Sequence, residues 1–439
     1  MAKHFGTDGV RGIAGVELTG ELGFRLGRAA GRALGPRTAL LARDTRLSGP
    51  ALEAACAAGL AEAGGDVHLG GVLPSPAVSH LVRLHRFDLG VVVSASHNPP
   101  QDNGIKFYNG QGLKISPQDE DRVEEVLDEP SPPGRLGMVA PWPEAADRYV
   151  AFLREAVPDL DLRGLRIALD CAYGATAPVA PGLFSAFGAT LALLGAKPDG
   201  ARINTTGVAA LGQLQAVVRE AGADLGIAFD GDGDRALFVD GHGEVVEGDR
   251  LMAALAPLLR DWGELLSQQV VFTVLGNMGA ERYLTERGFR VARVPVGDRN
   301  VSWAMRAEGS ELGGEPSGHI VFARHAPTGD GILTALLTLN ALRRAGTDLG
   351  SLVAPVPLYP QVREDIPVLD QEGALADPIV RRAIGEARHM LDGTGRLVVR
   401  SSGTQPLIRI FAEGPDEAPL RRAVARIADA LERFRGKTS

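Results

Sequence analysis

The stretch Leu89-Gly90-Val91-Val92-Val93-Ser94-Ala95-Ser96-His97-Asn98-Pro99-Pro100 joins an unbroken apolar run to small polar residues, with neither a helix cap nor an ordinary turn signal between them. The apolar run reads as a buried strand, and the segments before it agree. Strand signals at Thr38 to Ala42 and Val67 to Leu73 alternate with helical ones at Ser48 to Ala63 and around Ala77 to Leu84. Such βαβ alternation predicts a parallel sheet with helices on both faces. The order recurs twice, from Leu165–Asp170 to Leu225–Phe229 and from Val270–Val274 to Glu311–Gly313. In each copy the last strand enters a polar loop: SASHNP, DGDGDR or GEPSGH. The copies share an architecture but little residue identity.

Proline-rich segments at 129–143 and 354–360 read as linkers or domain edges. Beyond them, strand-like runs at Arg396–Arg400 and Leu407–Ala412 precede a helix with Leu420, Val424, Ile427, Leu431 and Phe434 on one face, which suits a small α+β domain. A chain of 439 residues exceeds one core, so two to four domains are expected. The net charge of -8 argues against a nucleic-acid surface, which needs a clustered basic face. The apolar runs are too short to cross a bilayer and the first residues contain no apolar signal core, so no membrane partner and a cytoplasmic location are expected. Cys56 and Cys171 form no motif and read as small buried residues in a reducing compartment.

Ligands of open α/β sheets collect beyond the carboxyl ends of the strands, so the three polar loops are candidates for one cleft. Ser96 is a candidate nucleophile there, given a base and cations to hold developing charge; the competing reading is a plain Asx turn before proline. Asp230, Asp232 and Asp234 alternate with glycines and repel one another unless a cation is present; oxygen-only ligands point to Mg²⁺ or Ca²⁺. An EF-hand fails on position, because Arg235 stands where glycine is needed and Gly241 where the bidentate glutamate belongs. In GEPSGH, Glu315, Ser317 and His319 suit the hydroxyls of a sugar, against the alternative of a plain turn. Arg400-Ser401-Ser402-Gly403-Thr404-Gln405-Pro406, with Arg409, matches the oxygens of a phosphate, against the alternative of a hairpin loop with incidental arginines.

Taken in this order along the whole chain, the four loops resemble those of the α-D-phosphohexomutase superfamily. So do Phe5-Gly6-Thr7-Asp8-Gly9-Val10-Arg11-Gly12, Asp102-Asn103-Gly104-Ile105-Lys106-Phe107 and Val296-Gly297-Asp298-Arg299, the last two being most like the subfamily that acts on glucosamine phosphates. The resemblance implies three related α/β domains with mixed, largely parallel sheets and a smaller C-terminal α+β domain around one central cleft. The expected division is 1–155, 156–252, 253–362 and 363–439. It implies a catalytic phosphoserine at Ser96, with Mg²⁺ held by Asp230, Asp232, Asp234 and Ser96 itself. Arg11, His97 and Lys106 would act beside it, with Lys106 and His319 as rival general acids or bases. Glu315, Ser317 and His319 would hold the sugar, and Arg400, Ser402, Gly403, Thr404 and Arg409 the phosphate that is not reacting. The implied reaction interconverts glucosamine 6-phosphate and glucosamine 1-phosphate through a 1,6-bisphosphate, with glucosamine or glucose 1,6-bisphosphate as activator, and feeds UDP-N-acetylglucosamine and cell-wall precursors. A phosphosugar is the expected partner, and a homodimer is compatible with the resemblance. The alternatives are the same chemistry on mannose or glucose phosphates, and a phosphosugar-binding protein without turnover. Pro316, Ser401 and Gln405 depart from the residues common in the subfamily, and they bear on the preferred sugar more than on the reaction.

Overall fold

A computed structural model of the chain describes residues 4–6, 8–130, 134–391, 393–402 and 406–438. The first sheet contains β1 (Val10–Ile13), β2 (Thr38–Arg43), β3 (Asp66–Val72), β4 (Leu89–Val93), β5 (Asp102–Asn109) and β6 (Val139–Pro141). β2 lies parallel to both β3 and β4, and β4 turns back into antiparallel β5. Every residue of β4 is buried, as its unbroken apolar run requires of a strand covered on both faces. Leu41, Val91 and Val93 face a core shared with helices Gly20–Leu34 and Gly49–Glu62, while helix Ser75–His85 packs on β2 and β4.

The second sheet, of β7 (Arg166–Asp170), β8 (Thr190–Leu194), β9 (Leu225–Phe229), β10 (Ala236–Asp240) and β11 (Val245–Val246), repeats the plan. So does the third, of β12 (Gln269–Thr273), β13 (Arg290–Val294), β14 (Leu312–Gly314) and β15 (Ile320–Phe322). The shared order is β3-β2-β4-β5, β8-β7-β9-β10 and β13-β12-β14-β15, with the last strand antiparallel each time. Each polar loop is the turn into that return strand, which fixes where its side chains emerge. The C-terminal sheet is antiparallel, ordered β16 (Gln361–Pro367), β18 (Leu407–Glu413), β17 (Arg396–Ser401). Helices Pro378–Met390 and Glu417–Thr438 belong to the same core. The fold is therefore three related α/β domains with mixed sheets and a smaller α+β domain.

Of the two readings of 129–143, linker or domain edge, the linker needs correction, because β6 within the segment pairs in parallel with β3. Proline is tolerated there since β6 is an edge strand. The chain forms two compact units: residues to Leu275 with Arg287–Pro355, and Gly276–Glu286 with residues from Val356 onward. Among the described residues no helix is long and apolar enough to cross a membrane.

Candidate active site

Ser96 follows β4 with φ +52°, the left-handed region that a non-glycine residue occupies only when its surroundings hold it there. The hold comes from Arg46, which is fully buried and pairs with Asp44 at 2.9 Å. Its guanidinium also donates to the carbonyls of Ser96 at 3.0 Å, Asn98 at 2.8 Å and Asp102 at 2.8 Å, and to that of Pro99. Asn204 donates from the second domain to the carbonyls of Ser96 and Asn98, at 2.7 and 2.9 Å. Ser94 Oγ accepts the Ser96 N–H and donates to Asp44. Fixed in this way, the buried Ser96 hydroxyl donates to Asp230 Oδ2 at 2.8 Å. His97, beside it, is exposed, with Nδ1 3.4 Å from Ser96 Oγ.

The DGDGDR loop brings oxygens of Asp230, Asp232 and Asp234 within 4.8 Å of one another. Burial, reinforced by Asp234 and Asp232, holds the Asp230 carboxyl well above the usual range. Burial also pushes Asp234 upward, but His319, Arg235 and Lys106 outweigh it and bring that carboxyl well below the usual range. Asp232 Oδ1 and Asp234 Oδ1 are buried with no hydrogen-bond partner. Orphaned carboxylate oxygens at a converging all-oxygen site fit a hard divalent cation. Asp232 Oδ2 accepts from Ser75 Oγ at 2.5 Å and from Lys106 Nζ at 2.9 Å.

Lys106, on β5, also pairs with Asp8 at 3.2 Å. Burial lowers its pKa, but Asp232 and Asp8 more than compensate and keep it an ammonium. Arg11 pairs with Asp8 and donates to Asn98 Oδ1 at 3.3 Å, placing it at the Ser96 loop. Lys114 bridges Asp8 and Asp298, which extends the line of alternating charge into the third domain.

In the third loop Glu315 is buried and accepts the Gly297 N–H at 3.0 Å, with the Ser317 hydroxyl 3.4 Å from its other oxygen. His319 Nε2 accepts the Gly329 N–H at 3.2 Å, so the ring proton sits on Nδ1, which faces Asp234 Oδ2 at 3.5 Å. Burial disfavours the imidazolium, but Asp234, Asp298 and Glu315 favour it more strongly and raise the pKa. Ser96, Lys106, Arg11, His97, the three aspartates, Glu315, Ser317 and His319 thus lie in one unit, their loops linked by these contacts.

Of the expected phosphate residues, Arg400 on β17 lies directly opposite Arg409 on β18, and Asp365 of β16 lies opposite Arg409. Ser402 is buried, and its N–H donates to the Leu407 carbonyl at 3.0 Å. Gly403, Thr404 and Gln405 lie outside the described residues. Sequence reading missed Arg46, Asn204 and Arg235. Arg46 and Arg235 each close a polar run just past a strand end, Asp44-Thr45-Arg46 and DGDGDR, and that position was the available signal. Asn204 had none.

Three α/β domains whose equivalent strand-end turns carry a serine, a carboxylate triad and a buried glutamate define a phosphohexomutase-like α/β protein. Family models agree along the chain. Phosphoglucomutase/phosphomannomutase alpha/beta/alpha domains I, II and III match residues 2–132, 147–243 and 247–359, and the C-terminal domain matches 365–430. The chain belongs to the phosphoglucomutase/phosphomannomutase family. It is 44% identical to the phosphoglucosamine mutase of Saccharopolyspora erythraea, over 99% of this chain and 100% of that one. It is 42% identical to that of Geobacillus thermodenitrificans, again over 99% and 100%. A phosphoglucomutase/phosphomannomutase family protein from Burkholderia thailandensis superimposes with a TM-score of 0.82 at 27% identity, over 98% of this chain and 97% of that one.

Proposed function

We propose that the protein interconverts glucosamine 6-phosphate and glucosamine 1-phosphate through a phosphorylated Ser96 and a bound 1,6-bisphosphate. The observation that carries the chemistry is the Ser96 hydroxyl held 2.8 Å from Asp230 in a strained, fully braced loop. The choice of sugar rests on the likeness to the phosphoglucosamine mutases of Saccharopolyspora erythraea and Geobacillus thermodenitrificans, 44% and 42% identical over nearly the whole chain.

In this reading the free hydroxyl of the substrate attacks the phosphorus of phosphoserine 96; the new P–O bond forms as the bond to Ser96 Oγ breaks, and the proton that this hydroxyl loses replaces the one Lys106 gives to Oγ. The bisphosphate then turns over, and its other phosphoryl group returns to Ser96 Oγ, which frees the isomeric monophosphate. Asp230, Asp232 and Asp234 would hold Mg²⁺ together with the Ser96 phosphate, and the bound ion neutralises charge on the phosphoryl group. Lys106, kept an ammonium by Asp232 and Asp8, is the general acid for the leaving oxygen. His319 serves less well as a base while its Nε2 accepts from Gly329, so its role is to hold Asp234 and the sugar. Arg11 steadies Asn98 beside Ser96, and His97 flanks the mouth of the site. Glu315 and Ser317 take sugar hydroxyls. Arg400, Ser402 and Arg409, with Gly403 and Thr404, grip the phosphate that is not reacting. A 1,6-bisphosphate restores any Ser96 that loses its phosphate to water.

The test follows 1-phosphate formation by ³¹P NMR from glucosamine 6-phosphate or mannose 6-phosphate, with Mg²⁺ and a trace of glucose 1,6-bisphosphate. The wild type is expected to favour glucosamine 6-phosphate, and Ser96→Ala to lose about a thousandfold or more of turnover. Full activity in Ser96→Ala would overturn the mechanism, and preference for the mannose substrate would overturn the choice of sugar.

A further inference from the structure

The Val296-Gly297-Asp298-Arg299 segment has so far supplied a backbone N–H to Glu315 and a carboxylate to Lys114, and its arginine is as yet without a role. Arg299 opens helix Asp298–Glu308 of the third domain. Its Nη1 donates to Glu120 Oε2 at 3.1 Å, and its Nη2 donates to Glu120 Oε1, in a fork across the carboxylate. The Glu120 side chain is 4% exposed and that of Arg299 14%. Glu120 sits in helix Pro117–Glu125 of the first domain, whose start is locked by a Ser116–Asp119 capping box. Its carboxylate is therefore a fixed point of the domain that carries Ser96.

Burying both charges is costly, and hydrophobic packing would join two domains at least as firmly. What the fork adds is geometry, since a bidentate guanidinium–carboxylate pair fixes direction as well as distance. Two residues before Arg299, the Gly297 N–H holds Glu315, and one residue before it Asp298 pairs with Lys114 of the first domain. The first turn of this helix thus meets the first domain at two points and the sugar loop at one.

We infer that Arg299 is a positioning residue: through Glu120 it sets the third domain's sugar loop, by way of Gly297 and Glu315, at the distance from Ser96 that the sugar requires. It touches no reacting atom itself, and the inference rests on the proposed assignment of Glu315 to the sugar.

The experiment compares Arg299→Lys, Glu120→Gln and the exchange Glu120→Arg/Arg299→Glu with the wild type. Each is scored on whichever of glucosamine, mannose or glucose 6-phosphate the wild type converts fastest. A wrong choice of sugar then appears in the wild type, and a wrong role for Arg299 appears in the variants. Arg299→Lys keeps the charge and most of the packing but loses the fork. Each single variant is expected to raise KM about tenfold or more with kcat changed less than about threefold, because the pair acts on placement of the sugar and leaves the phosphoryl chemistry in place. The exchange is expected to recover most of the KM. Single variants with a lower Tm but unchanged KM would reduce the pair to a structural brace and overturn the inference. An exchange variant with wild-type Tm and no recovery of KM would overturn it as well.

Discussion

The Asp330 carboxyl lies 3.0 and 2.9 Å from the Tyr149 hydroxyl and caps helix Gly331–Ala345 through the Leu333 N–H. Both side chains are fully buried, and burial pushes Asp330 up to about 6. Its neighbours tie it to the candidate site: the Gly329 N–H reaches His319, and the Gly331 N–H reaches the Gly233 carbonyl in the DGDGDR loop. A carboxyl whose folded pKa is raised binds its proton more tightly in the native state, so its contribution favours folding at low pH and is lost as pH rises. The window runs from the unfolded value near 4 to the folded value of about 6. Wild type is therefore expected to lose about 2 kcal/mol relative to Asp330→Asn between pH 4 and pH 7, measured by urea unfolding at both. A difference that does not change with pH would show that Asp330 titrates normally. Residues of this kind were illegible in the sequence. Ser96, the aspartate triad and Lys106 stand in dense local motifs, so spacing alone exposes them. Asp330, Arg46 and Asn204 acquire meaning only from partners 181, 50 and 108 positions away.

The C-terminal hairpin sets Arg400 and Arg409 directly opposite each other on one face, and like charges at such a pair cost about 0.2–1 kcal/mol. Asp365 relieves part of this from β16, its carboxylate 3.7 Å from Arg409 Nε, and leaves the element primed for an anion. Under the proposed phosphate grip, Arg400→Thr keeps a good strand residue and removes the repulsion. It should leave stability unchanged or raise it by a few tenths of a kcal/mol at low salt. It should also remove the rise in Tm that inorganic phosphate gives the wild type over sodium chloride of equal ionic strength. An undiminished phosphate effect would move the grip elsewhere. The elements themselves were unevenly legible. β2, β4, β7, β9 and β12 are apolar runs long enough to read as buried strands. The return strands β5, β10 and β15 were not, because Asp102–Asn109 mixes polar residues with apolar ones and Ile320–Phe322 spans only three residues. Without the return strands the sheets read as parallel, although the turn into each one is what presents the chemistry.

Across the whole chain, the C-terminal unit includes a piece from far upstream. Residues Gly276–Glu286 fall in the sequence between β12 and β13 of the third sheet but belong to the compact unit that resumes at Val356. Asn277 donates to the Tyr359 carbonyl at 3.1 Å and accepts the Tyr359 N–H at 3.0 Å. The Met278 N–H donates to Glu413 Oε1 at 3.0 Å, and Arg396 donates to the Gly276 carbonyl at 2.9 Å. A Cβ on Gly279 would lie 2.2 Å from the Pro357 carbonyl oxygen, so the two segments pack backbone to backbone. The proline-rich stretch at 354–360 reads in sequence as a linker or domain edge, a place to cut the chain cleanly. A chain ending at Pro355 would instead strip helix Met278–Glu286 of these partners. At about 1 kcal/mol for each of four hydrogen bonds, the loss is about 4 kcal/mol before any packing is counted. The truncated chain is expected to melt several degrees below the full chain and to be cleaved first by protease within 276–286, with the fragments read by mass spectrometry. An equal Tm with 276–286 protected would mean that this helix is held by the first unit instead, and that the C-terminal unit is an appendage the rest of the fold can do without.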